Sequence, residues 1–147
     1  MEAIVSLTII GVLATASMVS LMWLITGLTR THVDMICATG SLYTKNTTNA
    51  LLPGLFMHFT AGILMTFIYT IFFGLIDYHT AYSYALFGLV VGFFHGVVVT
   101  VTLTKLLAEN HPVEKYQSTS FTGSLAHIFA HVLYGLVIGT MYGTYLI

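Results

Sequence analysis

Four long stretches of the chain contain no charged residue, and this feature constrains the fold more than any other. A helix of about 20 apolar residues crosses a bilayer, and each stretch is longer than that. Only 6% of the residues are charged, whereas a soluble domain carries roughly a quarter. We therefore predict an all-α integral membrane bundle of four transmembrane helices, forming one domain over residues 1–147. The predicted spans are residues 3–28, 51–76, 81–104 and 121–147.

The positive charges all fall in two connecting segments. They are Arg30 and Lys45 in residues 29–50, and Lys105 and Lys115 in residues 105–120. Cytoplasmic loops are enriched in Lys and Arg, so both loops are predicted to be cytoplasmic and both termini to lie on the other side. Below, the side that carries these loops is the loop face and the opposite side is the terminal face. A net charge of −1 offers no basic surface for nucleic acid.

Glycine recurs at every fourth position in the last two spans. In lipid there is little hydrophobic drive between helices, so helices associate where small residues let their backbones approach closely. These glycines are therefore predicted to be packing residues, either between helices of one chain or against another membrane protein chain. The two series are Gly88, Gly92 and Gly96, and Gly135, Gly139 and Gly143.

A spacing shared by two spans suggests an internal repeat. It relates His58, Gly62 and Tyr69 of the second span to His131, Gly135 and Tyr142 of the fourth. Both spans run from the loop face to the terminal face in the predicted topology. The first and second helices are therefore predicted to form one unit of a parallel two-fold repeat, and the third and fourth helices the other.

Four histidines lie within the spans, namely His58, His95, His127 and His131. At 1.5 Å per residue, they lie between about 9 and 18 Å below the loop face. A polar side chain inside a membrane faces protein rather than lipid, so we expect these imidazoles to converge. The loop histidines His32, His79 and His111 are expected to be ordinary solvated residues.

One use of converging imidazoles is to hold a b-type haem. His58 and His131 are related by the repeat and lie on different helices, so they are the natural pair of axial ligands. Gly62 and Gly135 follow them by one turn, and small residues beside the ligands leave room for a flat macrocycle.

A second use is a zinc or copper site. His127 and His131 share one helix face because they are four residues apart, and His95 or His58 supplies a further nitrogen. The spans contain no carboxylate, so backbone carbonyls must orient these rings. The lack of carboxylates also excludes a ferritin-like di-iron centre.

Two further uses need no bound cofactor. Each imidazole can bond locally to a carbonyl or hydroxyl group, which fixes the helix register. Alternatively, a chain of histidines can relay protons, as in some membrane pumps, which suggests a small proton or solute transporter.

Four segments resemble a group of small four-helix bacterial inner-membrane proteins of unknown function. They are GVLATASMVSLM (11–22), LPGLFMHFTAG (52–62), ALFGLVVGFFHG (85–96) and HVLYGLVIGTMYG (131–143). The resemblance covers nearly the whole chain and consists mainly of apolar patterning. It implies the four-helix architecture and a location in an inner membrane, and it implies no reaction.

The expected function is that of a non-enzymatic membrane subunit. The loops are short, and no Ser–His–acid set or G-x-S-x-G motif is present. We expect a chain that packs through its glycine faces against other chains in a larger membrane complex, such as an energy-converting one. The first alternative is an electron-transfer subunit that binds haem b, zinc or copper, and the second is the small transporter.

Overall fold

The chain is entirely helical in the parts that the structure describes. The computed structural model describes residues 1–29, 34–76, 80–103 and 108–146, and within these ranges it has no strand. The α-helices there are α1 (Glu2–Thr29), α2 (Met35–Thr44), α3 (Leu51–Gly74), α4 (Ala81–Thr102) and α5 (Phe121–Tyr145), and a 3-10 helix covers Glu114–Tyr116. Helices α1, α3, α4 and α5 are long and apolar enough to cross a membrane. This finding confirms the predicted all-α fold with four spans.

Some residues used in the sequence predictions lie outside the described ranges. They are Arg30 and Lys105 of the charge pattern, the loop histidines His32 and His79, and Thr104 and Ile147 at the ends of the third and fourth predicted spans. The orientation in the membrane therefore stays a prediction.

Hydroxyl side chains begin the last two spans. Thr80 Oγ1 accepts the backbone N–H of Ser83 at 3.2 Å before α4, and Ser120 Oγ accepts the N–H of Gly123 at 3.0 Å before α5. Each bond satisfies one of the four N–H groups that have no partner at a helix start. These caps determine where each span begins.

The first predicted loop contains α2, which packs against α3. Asp34 begins α2 by accepting the N–H of Cys37 at 3.2 Å, and Lys45 ends it with a left-handed φ of 56°. A Cβ atom at Gly40 would lie 2.7 Å from the backbone nitrogen of Gly54. The two helices therefore touch through their backbones, and α2 is held on the loop-face end of α3.

Glycines form the closest helix contact, between α4 and α5. A Cβ atom at Gly92 would lie 2.5 Å from the carbonyl oxygen of His131, and one at Gly88 would overlap the carbonyl of Gly135. The start of α4 lies against the end of α5, so the pair is antiparallel. Both glycine series thus face each other within one chain. We call this contact the glycine seam, and it consists of Gly88, Gly92 and Gly96 with Gly135, Gly139 and Gly143.

The other helices are arranged unequally around this pair. α5 also packs along α1, and α1 packs along α3, whereas α3 and α4 touch only slightly. Only four residues, 77–80, connect α3 to α4, but α4 presents its glycine face to α5 and not to α3. In a two-fold repeat, α1 would correspond to α4 and α3 to α5. The α1–α5 contact would then recur as an equally extensive α3–α4 contact, but the α3–α4 contact is much smaller. The described helices are therefore not arranged as two equivalent pairs.

Aromatic side chains fill the terminal-face half of the bundle. The ring of Phe73 lies 5.0 Å from that of Tyr142 and 5.6 Å from that of Tyr84, measured between centroids. Tyr69 contacts Phe73 edge to face at 6.2 Å. Such offset and edge contacts add to the free energy of burial. We call this set the aromatic layer, and it consists of Tyr69, Phe73, Tyr84, Phe87 and Tyr142.

Substitution of Gly88 by Ala should destabilise the bundle by about 1–3 kcal/mol. The new methyl group would overlap the Gly135 carbonyl and lie 3.1 Å from the Cα of Gly139, and backbone cannot rotate away. Reversible unfolding in mixed micelles measures the change. The control is Gly74→Ala at the end of α3, where no atom lies within 4 Å of the added Cβ. If both variants unfold alike, the glycine seam does not hold the bundle together.

Candidate functional site: an imidazole cavity inside the bundle

A cavity of about 230 Å³ lies where α3 and α4 separate, with α5 behind it. All four span histidines line this cavity, which we call the imidazole cavity. They are His58 from α3, His95 from α4, and His127 and His131 from α5. The convergence expected from their depth therefore occurs in the structure.

Backbone carbonyl groups hold two of the rings. His131 Nδ1 donates to the carbonyl of His127 at 2.9 Å, and His58 Nδ1 donates to that of Gly54 at 3.1 Å. A carbonyl oxygen only accepts, so the proton of each neutral ring belongs on Nδ1. Nε2 of His58 and His131 then carries a free lone pair.

Hydroxyl groups hold the other two rings. His127 Nδ1 is hydrogen-bonded to Thr100 Oγ1 at 3.0 Å, and His95 Nδ1 to the hydroxyl of Tyr69 at 3.2 Å. The ring of His131 lies between these two, with centroids 4.5 Å from that of His127 and 4.7 Å from that of His95. All four Nδ1 atoms are therefore anchored.

The Nε2 atoms differ from the Nδ1 atoms in their hydrogen bonding. No hydrogen bond among the described residues uses Nε2 of these four histidines. In the same part of the chain, no fully buried side-chain nitrogen or oxygen atom lacks a hydrogen-bond partner. Since each of these Nε2 atoms lacks a partner there, it is not fully buried, and we place it at the cavity surface. Four nitrogens with this environment are available to a small ligand.

The glycines near the axial-ligand candidates do not make room for a macrocycle. The space beside Gly62 is filled by Thr15 of α1, and that beside Gly135 by Gly88 and Gly92 of α4. Both glycines serve close helix contacts.

A haem does not fit this cavity. Pockets for drug-sized ligands occupy about 300–1,000 Å³, and this cavity holds about 230 Å³. In addition, the His95 ring packs against His131, where a macrocycle would need to lie. The haem prediction on His58 and His131 is therefore not supported by the geometry.

A metal ion fits the size and the donor type, but the donors are not yet gathered at one point. Within the described ranges, no three His, Cys, Asp or Glu side chains are placed to hold one ion as they stand. Nitrogens that share a tetrahedral ion at 2.0–2.1 Å lie about 3.3 Å apart. An ion at this site would therefore draw the rings inward from the cavity wall.

Sequence reasoning missed the sulfur atoms of the cavity. Met57 and Met65 of α3 and Met18 of α1 line it together with the histidines. Met57 and Met65 are eight residues apart, so they share one face of α3. Apolar thioethers look like lipid-facing residues in a span, and only the separation of α3 from α4 distinguishes them.

A second cavity, of about 380 Å³, lies at the loop face. Asp34, Lys115 and Tyr116 line it, and it shares Thr39 and Leu103 with the imidazole cavity. We call it the loop-face cavity. The two cavities are therefore neighbours, and α2 and the end of α4 form the wall between them.

His111 differs from the expectation that it is an ordinary solvated residue. It is 4% exposed, and its Nε2 donates to the carbonyl of Ala38 in α2 at 2.9 Å. Its Nδ1 accepts the N–H of Val113 at 3.1 Å. His111 therefore connects the second loop to α2. The two partners are 73 residues apart in sequence, and the composition of the loop does not reveal the contact.

Asp34 organises the titratable groups next to this cavity. Its carboxylate accepts the hydroxyl of Tyr116 at 3.1 Å. Burial raises the pKa of Cys37 to about 11, with further contributions from the hydrogen bond and negative charge of Asp34. Burial and Asp34 likewise raise the pKa of Tyr116.

Asp34→Asn should lower the pKa of Cys37 from about 11 and so increase its thiolate fraction near pH 8.5. Asparagine still caps α2 but carries no charge, while the larger effect of burial remains. Alkylation by iodoacetamide should become faster, by up to about tenfold for one pKa unit. Cys37 is the only cysteine of the chain, so the reaction reports on it alone. Glu114→Gln, a change at an exposed neighbouring carboxylate, is the control; equal rates in both variants would contradict the role of Asp34.

Comparisons with protein-family models, curated proteins and solved structures give no match to this chain. The resemblance to small four-helix inner-membrane proteins therefore stays a prediction. The functional proposal depends on the residues and contacts described above.

Proposed function

We propose that this chain is a non-enzymatic integral membrane protein that binds a transition metal ion in the imidazole cavity. The observation that carries the proposal is the arrangement of its four histidines. Each ring is anchored through Nδ1, and each Nε2 has no hydrogen bond with the described residues beside a single small cavity. Metal-binding histidines have this form, since the second nitrogen is held by a carbonyl or another polar group.

The chemistry of the donors supports an ion over an organic substrate. Neutral imidazole suits zinc and copper. Ring centroids of 4.5 and 4.7 Å bring His127, His131 and His95 into one group, and His58 lines the same cavity from α3. A small inward movement of α3 and α4, which touch only slightly, would gather the nitrogens.

The spans offer little for catalysis. Apart from Glu2 at the first residue of α1, they contain no carboxylate that could act as a general acid or base. Threonine hydroxyls of the core are bonded to the carbonyl one turn earlier, as Thr15 is to Gly11 at 2.7 Å and Thr66 is to Gly62 at 2.9 Å. A binding role is therefore favoured over an enzymatic one.

We also propose that the protein acts as a subunit of a larger membrane complex, with the lipid bilayer around it. The glycine seam is used within the chain, so partner chains would contact the outer apolar faces instead. Large side chains such as Phe56, Phe94 and Phe129 are more than half exposed there. These faces suit either lipid tails or the helices of a partner.

Transport is less well supported. The aromatic layer fills the bundle between the imidazole cavity and the terminal face. Its central ring, Phe73, is fully buried, and Tyr69 is 1% exposed. This arrangement favours an ion that is held over one that passes through.

The metal proposal is tested by replacing two histidines with asparagine. In His58→Asn/His131→Asn, the amide nitrogen lies near the former Nδ1 and still reaches the backbone carbonyl, but Nε2 is lost. We expect purified protein to bind about one Co²⁺ or copper ion per chain and the double variant to lose about 100-fold or more in affinity. Titration followed by absorption and by elemental analysis measures both.

Thr140→Asn, an exposed change on α5, is the matched control and should bind as the unmodified protein does. A protein that binds no ion, or a double variant that binds equally well, would overturn the metal proposal. A reduced-minus-oxidised haem band in the absorption spectrum would restore the haem alternative. Mass measurement of the gently extracted native assembly tests the subunit proposal, which a lone monomer would contradict.

A further inference from the structure

Methionine side chains line two cavities together with the span histidines. Met18, Met57 and Met65 line the imidazole cavity itself. A smaller void behind His58 and His127 is lined by Met18, Met22 and Met35. Five of the seven methionines of the chain therefore lie beside four of its seven histidines.

Thioether sulfur distinguishes between metal ions. It is a soft, polarizable donor that favours monovalent copper, whereas Zn²⁺ favours thiolate, imidazole and carboxylate. The single thiol of the chain, Cys37, is on α2, and it does not line the imidazole cavity. The soft donors available at the cavity are therefore thioethers.

The charge of the ion leads to the same choice. Imidazole and thioether are neutral donors, so the cavity walls do not balance the charge of a bound cation. The cost of placing an ion in a medium of low dielectric constant increases with the square of its charge, so a divalent ion costs about four times as much as a monovalent one. Asp34 lines the smaller void, and its carboxylate is already bonded to Cys37 and Tyr116.

We propose that the imidazole cavity is selective for monovalent copper, which it binds through imidazole nitrogens together with thioether sulfur from Met18, Met57 and Met65. This inference rests on the proposed metal-binding function and adds the identity and charge of the ion. Met18 is 7% exposed and held in the core, whereas Met57 is 40% exposed at the opening between α3 and α4. The thioethers thus reach the cavity from its inner wall and from its mouth.

The experiment compares two ions on the same protein without oxygen. Cu⁺ is supplied with ascorbate and its affinity is measured by competition with bicinchoninate, while Co²⁺ is titrated in a parallel sample. The variant is Met18→Leu/Met57→Leu/Met65→Leu, because leucine conserves side-chain volume and removes sulfur. The control is Met141→Leu on α5, which packs against the core and does not line the imidazole cavity.

We expect the unmodified protein to bind Cu⁺ more tightly than Co²⁺. The triple variant should lose about tenfold or more in Cu⁺ affinity and change by less than about twofold for Co²⁺, since only the soft ion depends on sulfur. The control should match the unmodified protein for both ions. X-ray absorption at the copper edge should show sulfur beside nitrogen in the bound form.

The outcomes separate this inference from the proposed function. Binding of Co²⁺ in preference to Cu⁺ overturns the copper inference and leaves the metal-binding function intact. The same holds if Cu⁺ binds equally well to the triple variant, because sulfur is then no ligand. A protein that binds neither ion overturns both.

Discussion

A polar group inside a bilayer must find its partner within the protein, and the interior of this bundle is organised by that requirement. Tyr134 shows it most clearly, because its hydroxyl donates to the carbonyl of Gly62 and lies 3.0 Å from the hydroxyl of Thr66. These contacts join α5 to α3 across the core. The histidines follow the same rule, and each Nδ1 takes a carbonyl or hydroxyl partner. In the described part of the chain, only Nδ1 of each ring takes such a partner, so Nε2 remains available to a ligand.

The glycine seam decides how the histidine rings of α4 and α5 lie against each other. Backbone contact between α4 and α5 places His95 against His131, since Gly92 and Gly96 lie directly opposite the His131 turn. A close α4–α5 pair also leaves α4 apart from α3, and the imidazole cavity occupies the resulting gap. The packing of the bundle and the presence of the cavity therefore have one cause.

The two ends of the bundle have different physical character. Toward the terminal face, the aromatic layer gives a closely packed apolar interior around Phe73. Toward the loop face, α2 and the segment around His111 enclose a more polar region with Asp34 and Lys115. The imidazole cavity lies between them and is bordered by thioethers instead of charges. An environment of neutral, polarizable donors favours an ion of low charge.

Hydrophobic length and residue spacing belong to a single segment, so the sequence by itself determined the four spans, the small-residue faces and the common depth of the four histidines. Only the tertiary structure decided which helices meet at the seam and that His111 is buried. It also decided which contacts fill the space beside Gly62 and Gly135, and which methionines surround the imidazoles. Those features depend on which face of one helix meets another. That choice is made by backbone contacts such as Gly88 with Gly135, which join residues far apart in the chain. In a bundle with little hydrophobic drive between helices, local apolar patterning does not distinguish one such pairing from another.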